Sequence, residues 1–293
     1  MKIEYTVENQ YDGYEIRDIL AQRFDMSNNM IKRIKLYGTM DINGVHRRVI
    51  DKVSAGDRMF AAYEDDSGKL KAPESIKIYY EDEWIAVVEK PAGIVTHPTH
   101  GHLDDSLLTM LSDNTLHPVM RLDRETSGII AIAKNGYAHA LMAKQKMNKK
   151  YLAIVYGRYH DPEGIIDKPI KRRPDSVMIR DVAPDGHPSV THYREVSYIK
   201  SHDISLVEFI LETGRCHQIR VHSLSEGHPL VGDGLYGPNS VDNPGNIENS
   251  KELDALIGRQ ALHAYYLSFN HPTTGERMEF ESPIPSDMKR LLE

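Results

Sequence analysis

Between Ser75 and Glu212 the chain carries six short runs rich in β-branched and aromatic residues: SIKIYY, WIAVVEK, GIIAIAK, YLAIVYG, VTHYREVSYI and DISLVEFILE. Only two helical stretches lie among them, DSLLTMLS (105–112) and YAHALMAKQKMNKK (137–150). A parallel sheet requires a long crossover, usually a helix, between successive strands. With too few helices for that, most strands must pair with antiparallel neighbours. The pattern predicts an α+β domain built on a mixed, mainly antiparallel sheet. A third helical stretch, CHQIRVHSLSEG, follows and is stopped by Gly227. No repeat of solenoid period and no low-complexity tract is present.

Ahead of these strands stands a smaller unit. DGYEIRDILAQRF places Ile16, Ile19, Leu20 and Phe24 at helical spacing. In MSNNMIKRIKLYG, Ser27 or Asn28 can cap a second helix and Gly38 can end it. TMDINGVHRRVIDKVSAGDRMFAAY then carries turn signals at Asn43-Gly44 and Gly56-Asp57 between short strands. The polar stretch EDDSGKLKAPE (64–74) lacks an apolar period and reads as a linker.

Composition narrows the class. A chain of 293 residues can hold two domains or one large one, and 40% hydrophobic with 27% charged residues suits a soluble protein. No apolar run approaches the roughly 20 residues of a membrane span. The start, MKIEYTVENQYDGYEIRD, has acidic residues where a secretory leader has an apolar core. A cytoplasmic location without membrane contact is the expectation. The lone Cys216 excludes an internal disulfide. A net charge of −7 argues against indiscriminate nucleic-acid binding but leaves local basic patches open.

Several motifs admit a functional and a plain reading. GDGLYG (232–237) matches a dinucleotide-binding glycine pattern, yet Pro238 and Pro244 follow where that site needs a helix, so it reads as a turn. His97, His100 and His102, with Asp104 and Asp105 nearby, suggest zinc, but nothing completes a ligand set and no metal is expected. Cys216 beside His217 and Arg220 could be an activated thiolate, although a small residue packed at a helix start is the simpler reading. VMRLDRETSG (119–128) is different. Asp123 lies between Arg121 and Arg124, which would keep it ionised, and Gly128 suits a backbone passing close to another segment. The apolar run Ile129–Ala133 then ties the loop to the core, where a catalytic group is held best.

MRLDRETSG resembles the central motif of the RluA-type RNA pseudouridine synthases. EKPAGIVTHP (89–98), KKYLAIVYG (149–157), ETGRCHQIRVHSLSEGHPLVGDGLYG (212–237) and ALHAYYLSFNHPTTGE (261–276) resemble the other blocks of that family, in order. The resemblance implies a catalytic domain over 75–293, a bent, mainly antiparallel sheet with flanking helices and a central cleft. Residues 1–62 are similar to the small α-L RNA-binding module that often precedes it, with 63–74 as linker. By matching positions Asp123 is the nucleophile, Tyr151 lies against the uracil and acts as a base, and Arg220 pairs with Asp123. Arg121 would fill the vacated stack or grip phosphate. Arg124, Thr126, Ser127 and Gly128 shape the RNA site, as do Arg215, His217 and Gln218.

Lys32, Arg33 and Lys35 on the second helix would face phosphates, against the plainer reading of a solvated face. Lys144, Lys146, Lys149, Lys150, Lys171, Arg172 and Arg173 are further candidates for backbone contacts. Two positions depart from the family pattern: Met120 replaces its usual histidine and Cys216 its common threonine. The implied activity is isomerisation of uridine in structured RNA, ribosomal RNA foremost, by a monomer needing no cofactor and no protein partner. Two other readings stand beside it: a non-catalytic RNA-binding or assembly factor, and a glycosidase using Asp123 with Glu125.

Overall fold

The computed structural model describes residues 2–63, 69–99, 101–245 and 247–293. The small N-terminal unit runs β1 (Lys2–Thr6), α1 (Ile16–Gln22), α2 (Asn28–Tyr37), β2 (Thr39–Ile42), β3 (Val45–His46) and β4 (Arg58–Ala62). Its strands form an antiparallel sheet in the order β1-β4-β2-β3. The helical spacing read from the sequence is the buried face: Ile16, Ile19 and Leu20 of α1 are fully enclosed. Ser27 caps α2, its hydroxyl accepting the Met30 N–H at 3.2 Å. Gly38 ends α2, and any side chain there would collide with the Ala62 carbonyl.

The larger unit continues with β5 (Ile78–Glu81), β6 (Ile85–Lys90), α3 (Leu107–Leu111), β7 (His117–Pro118), β8 (Ser127–Ala133) and α4 (Gly136–Ala143). Then come β9 (Asn148–Tyr156), β10 (Glu163–Asp167), β11 (Ile170–Arg172), β12 (Arg180–Val182), β13 (Val190–Ile199) and β14 (Ile204–Leu211). The chain closes with α5 (Gln218–Ser225), α6 (Ser250–Ile257), β15 (Leu262–Asn270), β16 (Arg277–Glu281) and α7 (Ser286–Leu292).

The main sheet has the order β10-β13-β14-β9-β15-β8-β6-β5, with β16 added beside β15 and β7 beside β8. Among the described residues only β15 and β8 run parallel, through His263↔Ser127 and Ala264↔Gly128. The expected α+β fold with a mainly antiparallel sheet is what forms.

β8 is buried along its whole length, and Ile129 to Ala133 have no exposed surface. Each isoleucine there contributes roughly 1.5–3 kcal/mol of burial. Gly128 stands at the parallel contact with φ +125°, and a Cβ on it would lie 2.2 Å from the Ala264 carbonyl oxygen. Only glycine permits that approach.

Local reading failed in identifiable places. The helix expected over 137–150 ends at Ala143, and Asn148 to Lys150 instead open β9. Those residues pair with β15 on one side, and Lys150 also with β14 on the other, so ladder bonds outweigh local helix propensity. Of the stretch read as a linker, 64–68 lie outside the described residues. Leu70 and Ala72 already pack on the larger core, and the Lys71 N–H donates to the Leu111 carbonyl. The two units also touch: Tyr137 of α4 packs on the small core, and Lys144 pairs with Asp25 at 2.7 Å.

Candidate active site

The loop before β8 is fastened residue by residue. Thr96 clamps Leu122, its hydroxyl donating to the Leu122 carbonyl and accepting the Leu122 N–H. The Lys90 ammonium, with no exposed surface, donates to the carbonyls of Pro91, Ile94 and Arg124 at 2.8–2.9 Å. Burial pulls the Lys90 pKa down to about 7, opposed by the charges of Glu125 and Asp123. Arg259 donates to the Glu125 carbonyl, Gln260 to the Thr126 hydroxyl at 2.8 Å, and Ser127 bonds His263 Nδ1 at 2.9 Å. A loop tied at each of these positions cannot drift, which is what a reactive side chain requires of its support.

Asp123 projects from this loop and is the one residue shared by three adjoining concavities among the described residues. One of these is a small, open pocket that Asp123 lines together with Tyr151, His217 and Arg220. Arg220, only 4% exposed, donates from Nη1 to Asp123 Oδ2 at 3.0 Å. Its other two nitrogens, Nε and Nη2, grip both oxygens of the fully buried Asp233 at 2.7 Å. Burial opposes the guanidinium charge, but Asp233 and then Asp123 more than offset it and raise the Arg220 pKa. Asp233 in turn accepts the N–H groups of Leu235 and Tyr236, and the Tyr236 ring lies under the Arg220 guanidinium.

Tyr151 sits near the start of β9 with its ring buried, and its hydroxyl finds no hydrogen-bond partner among the described residues. Burial, and then the charge of Asp123, push its phenol pKa well up, so the group is protonated at neutral pH. His217 caps α5 in a left-handed conformation, with Nε2 at 3.8 Å from Asp123 Oδ2. Burial draws its imidazole down to about 4, against the pull of Asp123.

Asp123, Tyr151, Arg220 and His217 are thus brought together, with Arg121 and Arg215 exposed at the rim. The arginines beside Asp123 in sequence are not its partners. Arg124 pairs with Glu125 at 2.7 Å, and among the described residues Arg121 makes no ion pair. Thr126 and Ser127 are buried under the loop. Gln218 is buried too and lines the pocket with Asp123; its amide is bonded to Thr213, Arg215, Val190 and Thr191 and so braces the Gly214–His217 turn. Cys216 is at the exposed lip, not packed, and partial burial and then Asp123 push its thiol up, which disfavours a thiolate. Met120 lies in the larger core.

Among the outlying cations, Lys32 and Lys35 are exposed and Arg33 half-exposed on α2. Lys144, Lys171 and Arg173 are engaged with Asp25, Asp185 and the pair Asp175 and Asp242. That leaves Lys146 and Arg172 as the exposed members of those basic runs. In the histidine loop, His102 pairs with Asp105 at 2.8 Å, while His100 lies outside the described residues. Sequence reasoning passed over Lys90, Asp233, Tyr236, Arg259, Gln260 and His263. Asp233 was visible only as part of a turn, and a buried lysine at a strand end has no local signature.

Comparison with known proteins fits this geometry. The RNA pseudouridylate synthase family profile matches residues 85–225. An uncharacterized RNA pseudouridine synthase of Bacillus subtilis, YjbO, is 37% identical over 290 residues, covering 93% of this chain and 96% of its own. The chain therefore belongs to the RNA pseudouridine synthases, and is by that membership an isomerase. A ribosomal large subunit pseudouridine synthase D of Vibrio cholerae is 35% identical over 307 residues, covering 99% and 94%. Among solved structures, human RNA pseudouridylate synthase domain containing 4 superposes with a TM-score of 0.56 at 24% identity, over 73% of this chain and 91% of that one, and shares the fold.

Proposed function

We propose that this enzyme converts uridine to pseudouridine in large-subunit ribosomal RNA, with Asp123 as its nucleophile. The observation that carries the reading is the Asp123–Arg220 contact at 3.0 Å in a pocket also lined by Tyr151. An arginine anchored by Asp233 holds one oxygen of Asp123, leaving the other for reaction. The reaction breaks the bond from ribose to the base nitrogen, turns the uracil and rejoins it through a ring carbon, whose proton must leave. It is redox-neutral and needs no external group. The base must leave its stack first, and Arg121 at the rim is suited to take its place or to grip phosphate. Tyr151 offers a stacking face. A phenol held protonated serves as base only if it hands on its own proton in the same step.

The ribosomal assignment rests on the similarity to the Vibrio cholerae enzyme. We further assign residues 1–62 as an α-L-type RNA-binding arm using Lys32, Arg33 and Lys35, 63–74 as the linker and 75–293 as the catalytic domain. The enzyme is taken to act as a cytoplasmic monomer; no helix among the described residues is long and apolar enough to cross a membrane. Pseudouridine mapping of total RNA from cells with and without the gene identifies the target. Asp123→Asn should bind RNA nearly as well as wild type and convert none of it; turnover within about tenfold of wild type overturns the assignment.

A further inference from the structure

His217 occupies a backbone position that L-residues avoid, with φ +59° at the N-cap of α5, and its side chain caps nothing. A strained position of this kind persists when surrounding contacts hold it. Here the holding contact is specific: Nδ1 lies 2.9 Å from the hydroxyl of Tyr236. That hydroxyl already accepts the backbone N–H of Arg180 at 2.9 Å, and Tyr236 is 2% exposed. A buried hydroxyl places its single proton on an acceptor. His217 Nδ1 is the acceptor in reach, so Nδ1 carries no proton and the neutral ring carries it on Nε2. Nε2 makes no hydrogen bond among the described residues; at 3.8 Å the Asp123 carboxylate is beside it but beyond bonding distance. The ring lines the concavities on both sides of Asp123.

We propose that His217, locked by Tyr236 with its proton on Nε2, is the donor that reads the 4-carbonyl oxygen of the uracil and so selects uridine over cytidine. This rests on reading the Asp123–Tyr151 pocket as the uracil site. Uracil presents a carbonyl oxygen where cytosine presents an amino group. A fixed N–H meets an acceptor in the first and another donor in the second, and an unmatched buried donor is what rejects a base. Burial, outweighing the opposing pull of Asp123 and Asp233 and aided by Arg220 and Arg180, keeps the ring neutral down to about pH 4. The tautomer is therefore set by Tyr236 and not by the pH of the medium.

The test uses the full-length protein and a large-subunit ribosomal RNA transcript tritiated at uridine C5, whose label is released when the base rejoins through that carbon. His217→Asn retains a side chain tolerant of left-handed backbone but lacks the reach of Nε2. It should lower kcat/KM by at least about tenfold with RNA affinity unchanged, and His217→Gln should recover part of the loss. Tyr236→Phe should cost a similar factor, and adding it to His217→Asn should cost nothing more. Transcripts in which 2-thiouridine or 4-thiouridine replaces uridine weaken one acceptor at a time. 4-Thiouridine should slow wild type and not slow His217→Asn further, whereas 2-thiouridine, altered at an oxygen that cytosine shares, should slow both alike.

Nitrogen-15 spectra of histidine-labelled protein should give His217 as the Nε2–H tautomer in wild type and a mixture in Tyr236→Phe. Full activity in His217→Asn, equal sensitivity of wild type and variant to 4-thiouridine, or an Nδ1–H signature overturns the proposal. If Asp123→Asn is inactive while His217→Asn is unimpaired, only the role of His217 falls; an active Asp123→Asn removes the pocket assignment beneath it.

Discussion

Replacing Asp233 by asparagine keeps its shape and removes the charge that anchors Arg220. Asp233 has no exposed side-chain surface and Arg220 is 4% exposed, with two bonds of 2.7 Å between them. Breaking a buried pair from one side costs about 3–5 kcal/mol, because the remaining charge stays buried without its partner. Two features put this case at the lower end, about 3 kcal/mol. Arg220 keeps Asp123 at 3.0 Å, and the asparagine oxygen can still accept the Leu235 and Tyr236 N–H groups.

With an unfolding entropy of roughly 2.1 cal/mol/K per residue over 293 residues, that loss lowers the melting temperature by about 5 °C. Arg220 would also be free to turn toward Asp123, and a displacement of about 1 Å in a reacting group costs on the order of 100-fold in turnover. Calorimetry and tritium release on one preparation measure both. Asp185→Asn, which removes the exposed partner of Lys171, is the control and should shift stability by no more than about 0.5 kcal/mol. A loss below about 1 kcal/mol in Asp233→Asn, with turnover intact, would show that Asp233 does not anchor the site.

Tyr151→Phe keeps the stacking face and removes the hydroxyl, so RNA affinity should hold while turnover falls by at least about 100-fold; near-normal turnover would restrict Tyr151 to stacking. Deleting residues 1–62 should weaken RNA binding and flatten its dependence on salt, because phosphate contacts are lost, and an unchanged slope would give the module another task. Protonation should also destabilise the fold in acid. His217 and His263, both held by burial near 4, gain protons in the unfolded chain near 6.5, so stability is complete above 6.5 and declines as the pH falls toward 4. Melting curves from pH 7.5 to 4 follow this, and His263→Asn, which spares the Ser127 contact at Nδ1, should flatten the decline; an unaltered slope would place the effect elsewhere.

Asp123 and the strand behind it were legible in the sequence because their signals are contiguous. An acid, a glycine and an unbroken apolar run within a few residues suffice to mark a loop fixed to a buried strand. The helices of the small unit were legible for the same reason, their apolar spacing and the Ser27 cap being local. Tertiary structure decided the rest. The charge nearest to Asp123 along the chain is not the one nearest in space: Arg121 and Arg124 point to the rim, and the partner comes from 97 residues away.

That choice depends on Asp233, which sits in a turn and whose role exists only once α5 packs against it. Lys90 is similar, since a lysine ending an apolar strand becomes a brace only when the carbonyls of Pro91 and Ile94, in the turn that follows it, and of Arg124, from a distant loop, converge on it. The start of β9 was misread as helix because its pairing partners, β14 and β15, lie more than 50 residues further on. Local chemistry determines which segments can be strand, helix or turn. Which charge is buried against which is settled only where the folded chain excludes water, and the penalty for an unpaired ion there makes one arrangement prevail.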